Sequence, residues 1–384
     1  MSIRHALLIG CVVSLAAPAI SRADEVSFTK TVIDPMFRSE GVGVGDFDKD
    51  GDNDVVVGDY WYEAPKWTPH EIRKPRKPIR GGYTEALAVY PDDYNKDGWV
   101  DVMVIPFHGK DAKWYENPQG KDGHWTERVA FKGTGNETRL YTQLFDDSRV
   151  FVMGVENKIA WVAVPKDPNQ PWPVHDISDG KVKPADRFAH GLGACDVNGD
   201  GRKDVTSGSG WWEQPAEGAK AEGPWKFHDS KIVNDGVADM YALDADQDGL
   251  NDVFCTSAHG RGVYWCRQIG EEGARRFQPH KLNTLIHETH SLNYVDVNGD
   301  GRKDLVTGRR FFAHGFRPEK AGDPSELYWF DIETVKGDAP KLTPHLIDDQ
   351  SGVGAQFVTT DFNGDGKVDI VVSNRKGVFL FLRN

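Results

Sequence analysis

The chain is poor in cysteine: four in 384 residues, of which Cys11 lies in the first stretch. The other three, Cys195, Cys255 and Cys266, are an odd count, which excludes a disulfide-built scaffold. Cys255 and Cys266 would face each other in a hairpin turning at His259 to Gly262, as a bridge or as two separate buried thiols. Beyond the first twenty residues no apolar run is long enough to span a bilayer, so no transmembrane helix is expected. Basic residues are outnumbered, with 46 Lys and Arg against 59 Asp and Glu. No basic stripe with interleaved aromatics occurs, which argues against nucleic acid as a partner. The short basic segment Lys74 to Arg80 reads as a solvated loop. A long 3.6-residue period, a nucleophile motif, a phosphate loop and a dinucleotide fingerprint are missing as well.

What is present is a repeated loop. Asp196-Val197-Asn198-Gly199-Asp200-Gly201-Arg202-Lys203-Asp204 recurs letter for letter from Asp296 to Asp304, in the pattern D-x-[DN]-x-D-G-x-x-D. Four more copies place oxygen side chains at the same spacing. The expected ligand sets are Asp46, Asp48, Asp50 and Asp54; Asp93, Asn95, Asp97 and Asp101; Asp196, Asn198, Asp200 and Asp204. The other three are Asp244, Asp246, Asp248 and Asp252; Asp296, Asn298, Asp300 and Asp304; Asp361, Asn363, Asp365 and Asp369. Alternating oxygens in a tight turn suit Ca²⁺, and the glycine at position six permits the turn. An EF-hand would need a glutamate at position twelve and flanking helices. Here position twelve is Val57, Ser207, Cys255 or Thr307, and β-branched strand runs such as Val55 to Val57 follow. Six structural Ca²⁺ between strands are therefore expected.

Residues 1–23 read as a secretory signal, with Arg4 and His5, an apolar run from Ala6 to Ile20, and a Ser21-Arg22-Ala23 cleavage site. Too little apolar sequence precedes Cys11 for the lipoprotein box that Leu8 to Cys11 resembles. An exported protein, periplasmic or extracellular, is expected. Export would take the formal charge from −13 to −15 by removing Arg4 and Arg22. Six Ca²⁺ would then bring it to about −3.

The spacing of the loops sets the architecture. First aspartates are 47, 103, 48, 52 and 65 residues apart. The gap of 103 holds a degenerate, metal-free copy around Phe145 to Val152, and the gap of 65 carries an insertion around Phe311 to Ser325. Seven repeats result. Each loop is followed by a β-branched strand, an aromatic strand such as Tyr60 to Glu63 or Trp114 to Asn117, and a strand ending in W-x-x-H or P-H. Four strands per repeat, seven times, predict an all-β, seven-bladed β-propeller over 24–384. A solenoid would need polar caps. Here the last repeat stops after Phe379 to Leu382, and Val26 to Ile33 has the character of its missing fourth strand, so the N-terminus closes the ring.

These repeats resemble FG-GAP/VCBS repeats over essentially the whole mature chain. The Trp114-Tyr115-Glu116-Asn117-Pro118 strand, His287 to Leu292 (H-E-T-H-S-L) and Gly308 to Phe312 (G-R-R-F-F) are similar to the propeller of the aldos-2-ulose dehydratases. That resemblance implies dehydration of keto- or anhydro-sugars. Those enzymes carry cupin domains after the propeller, and this sequence to Asn384 has none.

The propeller also locates a site. Residues before each innermost strand and those between the second and third strands share the face opposite the loops. Glu40, His190 and His290 stand six positions before a first aspartate, where an apolar residue is usual. Asp59, His108, His259, Arg309, Arg310 and His314 occupy the second kind of position, and His287 lies nearby. The three histidines could bind a transition metal such as Zn²⁺. Alternatively, His290 or His190 could act as base and the other, or His259, as acid, with Arg309 stabilising an enolate. The aromatics Trp211, Phe311 and Phe312 could stack on sugars. A carbohydrate lyase or dehydratase working by β-elimination is the leading expectation; a non-catalytic glycan- or protein-binding propeller is the alternative.

Overall fold

The computed structural model describes residues 26–76, 83–145, 148–234, 236–271, 274–311 and 323–384. The expected leader, Asp146-Asp147 of the degenerate loop, Phe312 and His314 lie outside them. The strands form seven four-stranded antiparallel sheets. Six of them follow chain order, as in blade one with Gly43–Gly45, Asp54–Val57, Tyr60–Glu63 and Thr68–Glu71. The seventh joins Val358–Thr360, Asp369–Asn374 and Gly377–Arg383 to the N-terminal strand Phe28–Asp34. Phe28 pairs with Arg383 and Val32 with Phe379. The expected closure is therefore present, and the last blade has no bare edge at its third strand. The only helical elements among the described residues are two 3₁₀ turns, Lys183–Ala185 and Gly218–Lys220. No helix there is long and apolar enough to cross a membrane.

The second strand of each blade is buried on both faces, which is why Val55 to Val57, Val102 to Ile105 and Ile370 to Val372 are continuous apolar runs. The W…H spacing has an equally local cause. On the third and fourth strands Trp61 pairs with His70, Trp161 with His175, Trp211 with His228 and Trp329 with His345. Each of these ring pairs is stacked, with centroids 3.9 to 4.3 Å apart. The imidazole roofs the tryptophan's outer face, a cross-strand contact of the kind that holds a sheet in register. Trp211 thus belongs to a strand interior, 5% exposed, and is not the loop aromatic expected.

Cys195, Cys255 and Cys266 are buried, and none forms a disulfide among the described residues. Cys255 sits opposite Tyr264 and Cys266 opposite Val253, so the two sulfurs are not cross-strand partners. Burial pushes the Cys195 thiol up to about 12, which makes it inert.

Blades meet tightly where the site lies. Ala355 donates its amide to the Glu40 carbonyl at 2.9 Å, joining blade seven to blade one. A Cβ on Gly354 would collide with that same carbonyl oxygen. Only glycine allows this approach.

Candidate metal centre at the channel mouth

Two short segments of each blade turn towards the axis on the face away from the D-x-[DN]-x-D-G loops. The segment entering the innermost strand supplies Glu40, Glu137, His190 and His290. The turn after the second strand supplies His108, His259, Arg310 and Arg375. All seven blades contribute to this polar layer, which closes one end of the central channel.

His190, His259 and His290 come together as expected. One ring nitrogen from each lies within 4.8 Å of the other two. Ring centroids are 4.6 Å apart for His190 and His259 and 4.8 Å for His190 and His290. Nitrogens so placed have a common point within about 2.8 Å, against roughly 2.0–2.1 Å for a Zn–N bond, so small side-chain rotations complete the set. His290 Nδ1 lies 3.2 Å from the Glu288 carbonyl, which takes the proton on that nitrogen and leaves the lone pair on Nε2. The same carbonyl accepts the Arg310 amide at 3.0 Å. Glu288 and Phe188, each two residues before a cluster histidine, have positive φ of 53° and 65°. Left-handed backbone costs a non-glycine residue about 1–2 kcal/mol, and here it aims both imidazoles inward.

Burial, with Arg310 and His190 adding to it, holds the His290 imidazolium well below the ordinary histidine range. Burial thus favours the neutral imidazole at His290. That departs from the near-neutral base expected of it and suits a metal ligand. His259 is exposed and His190 partly so, which leaves the cluster open on its outer side.

Behind the imidazoles stands an ionic network. Arg310, 1% exposed, donates from Nε to Glu40 at 3.0 Å and from Nη1 to Glu137 at 2.9 Å. Its Nη2 is buried with no hydrogen-bond partner among the described residues. Burial alone would raise the Glu137 carboxyl, but the Arg310 charge and a hydrogen bond with His108 hold it well below the usual carboxylate range. His108 Nε2 is 3.6 Å from Glu137, and Arg375 Nε is 3.8 Å from Glu40.

The neighbouring arginine does something else. Arg309, expected as the electrostatic partner of the histidines, pairs with Glu288 at 3.4 Å and donates to the carbonyls of Asp323 and Pro324. His287 joins that side group, 3.1 Å from Asp323 and 3.5 Å from Glu288. Successive residues of an extended chain point to opposite sides, so one step of register gives the mouth to Arg310 and the outer wall to Arg309. Asp59 is held by Arg73 at 2.5 Å and by the Arg76 amide at 2.8 Å, in a structural contact at blade one.

Aromatic rings line one side of the cluster. Tyr83 stacks on Phe107 at 4.7 Å, Phe188 packs on Phe107 at 5.8 Å, and His108 meets Phe188 at 5.1 Å. Phe188 keeps 45% of its surface open. Arg187 lies over its ring at 4.7 Å, and Arg310 over Tyr83 at 5.6 Å. Glu137 and these rings were missed in the sequence. Glu137 stands three residues before its innermost strand, as Glu40 and His190 do. Blade three lacks the metal loop from which that register was counted.

On the opposite face the six D-x-[DN]-x-D-G loops share a tight turn held by backbone amides on their own side-chain oxygens. In the loop beginning at Asp196, the amides of Gly199 and Gly201 donate to Asp196 and that of Asp200 to Asn198. Asp46, Asp48 and Asp50 converge, as do Asp244, Asp246 and Asp248. Asp46 Oδ1 and Asp246 Oδ1 are buried without a hydrogen-bond donor, as oxygens reserved for a cation would be. The donor set is hard oxygen throughout, so the loops fit Ca²⁺. The ninth-position aspartates, expected as ligands, make structural hydrogen bonds. Asp204 accepts the amides of Val197 at 3.0 Å and Gln214 at 2.9 Å, stapling the loop to the end of the third strand. Asp54, Asp101, Asp252 and Asp369 make the same pair of contacts.

Residues 244–307, from the loop of blade five into blade six, match the family of FG-GAP-like repeats. No curated protein matches the chain in sequence. Among solved structures, an Agrocybe aegerita lectin that recognises non-reducing terminal N-acetylglucosamine aligns over 93% of this chain and 85% of its own, at 14% identity and a TM-score of 0.45. BBS1N, solved in complex with ARL6DN, aligns over 93% of this chain and 96% of its own, at 11% identity and a TM-score of 0.51. The second likeness shows the fold alone.

Proposed function

We propose that this seven-bladed β-propeller of FG-GAP-type repeats is an exported, calcium-braced carbohydrate lyase or dehydratase. Its reaction centre is a divalent metal held at the channel mouth by His190, His259 and His290. The observation that carries the reading is the convergence of three imidazole nitrogens within 4.8 Å on an open face, backed by a buried arginine. Three histidines with an open position form a donor set typical of catalytic Zn²⁺. Such an ion would polarise a substrate carbonyl as a Lewis acid.

β-Elimination removes a proton alpha to a carbonyl, which would pass to solvent water on the open side of the cluster, and expels an oxygen substituent from the beta carbon, which would take a proton back from that water as it leaves. It needs positive charge where the enolate oxygen develops. His290 contributes a neutral ring whose tautomer is fixed through Glu288. Arg310 is kept charged and immobile by Glu40 and Glu137, and from behind the imidazoles its positive charge would favour an anionic oxygen at the mouth. Tyr83, Phe107 and Phe188 offer an apolar wall against which a sugar ring can stack. A keto-sugar, an anhydro-sugar or a uronate-containing glycan meets all three demands.

The aromatic wall also favours a second reading, a glycan-binding propeller that performs no chemistry. Incubation with keto-sugars, anhydro-sugars and uronate glycans, followed by ultraviolet absorbance of the unsaturated product, separates the two. Absorbance that rises with wild type and not with His290→Ala supports the lyase. Binding without turnover by the Zn²⁺-loaded protein supports the binding module.

A further inference from the structure

Behind the mouth the channel widens into a cavity of about 480 Å³, bounded by the innermost strands of all seven blades. Its walls carry two charges that no ion pair accounts for, one buried and one half-buried. Arg139, on blade three, is 5% exposed and has no carboxylate within ion-pair distance among the described residues. Its Nη1 donates to the Glu137 carbonyl at 3.2 Å and its Nη2 lies 3.4 Å from His108 Nδ1. Its Nε is buried with no partner. Asp239, on blade five, accepts the Leu292 amide at 2.9 Å and has no cation beside it among the described residues. It is deep in the protein yet keeps part of its surface open to the cavity.

The hydroxyls nearby are already spent. Tyr90 donates to the Arg139 carbonyl at 2.5 Å and Tyr241 to the Leu292 carbonyl at 2.9 Å. Between the two charges, blade four lines the cavity with Gly193 and Ala194, neither of which carries a charge. Burying a charge without a counter-charge is costly, and the cost is paired here: one cation and one anion across an open volume. Both depart from their ordinary values in the direction that missing partners produce. Burial lowers Arg139 to about 10 and raises Asp239 to about 7. A ligand that removes both penalties carries one anionic and one cationic group, as a carboxylate and an ammonium together supply.

We infer that the channel interior is a binding site for a small zwitterion of the amino-acid class, its carboxylate on Arg139 and its ammonium on Asp239. The site adjoins the mouth layer through Arg139 but uses none of the three clustered histidines, and it does not depend on the lyase reading. Titration calorimetry of the full chain at pH 7.5 with glycine, β-alanine, γ-aminobutyrate and 6-aminohexanoate tests it, with acetate and methylammonium as single-charge probes. At least one amino acid should bind once per chain, with at least tenfold higher affinity than either single-charge probe. Asp239→Asn, which retains an acceptor for the Leu292 amide, should weaken that binding at least tenfold and leave acetate unaffected. Arg139→Gln should weaken both. His259→Ala should change neither, because His259 does not line the cavity. Absence of amino-acid binding, as in a cavity that holds only water, overturns the inference. So does binding that survives Asp239→Asn or is lost with His259→Ala.

Discussion

Arg310 and Glu137 meet at 2.9 Å in the interior although 173 residues separate them in the chain. With Glu40 on the other side of the guanidinium, this contact ties blades one, three and six behind the histidines. Arg310→Met should therefore strand two buried carboxylates. A loss of about 3–5 kcal/mol is expected in urea unfolding, the usual cost of breaking a buried pair from one side. Arg310→Lys should recover part of it. A methionine variant within about 1 kcal/mol of wild type would mean that the network does not brace the mouth.

The three histidines should separate by burial. His259 is exposed, so His259→Ala should weaken metal binding at least tenfold while the melting temperature moves by no more than a degree or so. His290 is 3% exposed, and its Nδ1 serves the Glu288 carbonyl. His290→Ala should lose both metal affinity and roughly 1–3 kcal/mol of stability. Calorimetry with Zn²⁺ alongside thermal melts checks the contrast. Equal effects at both positions would contradict it.

Calcium should behave as a set of local braces. Ligation exists only in the folded state, so it stabilises by mass action. Chelation by EGTA should lower the melting temperature, and added Ca²⁺ should restore it. Asp200→Ala should remove one ion and expose the amides of blade four to hydrogen exchange, leaving blade one protected. An unchanged melt after verified calcium removal would count against the loops as structural sites.

Asp239 sets a pH dependence whose sign follows from burial. Its folded pKa, raised to about 7, lies above the unfolded value of about 3.9, so the native state holds the proton more tightly. Its contribution is greatest below about pH 4 and is lost as pH rises towards 7. Asp239→Asn should abolish that part of the slope and gain on wild type across the same interval. Parallel wild-type and variant stability curves between pH 4 and 7 would show that Asp239 does not titrate there.

The fold was legible because each blade repeats its chemistry. The loop glycines, the β-branched second strands and the Trp–His pairs recur at one spacing, and counting them yields seven blades and the closing strand Phe28–Asp34. The histidines were legible for the same reason, since His190 and His290 hold one register. The rest of the mouth needed coordinates. Glu137 belongs to the blade without a loop. Arg309 and Arg310 differ by a single residue, and only strand direction tells which one faces inward. Tyr83, Phe107 and Phe188 come from three segments that no spacing links. Asp239 and Arg139 acquire meaning only from the cavity between them.

The central claim is the three-histidine metal centre, and metal analysis tests it most directly. Wild type and the His190→Ala/His259→Ala/His290→Ala variant would each be loaded with Zn²⁺ in excess Ca²⁺, desalted and measured by mass spectrometry of the elements. The account predicts one zinc per wild-type chain beyond whatever the variant retains, with equal calcium in both. Equal zinc in the two proteins would contradict it.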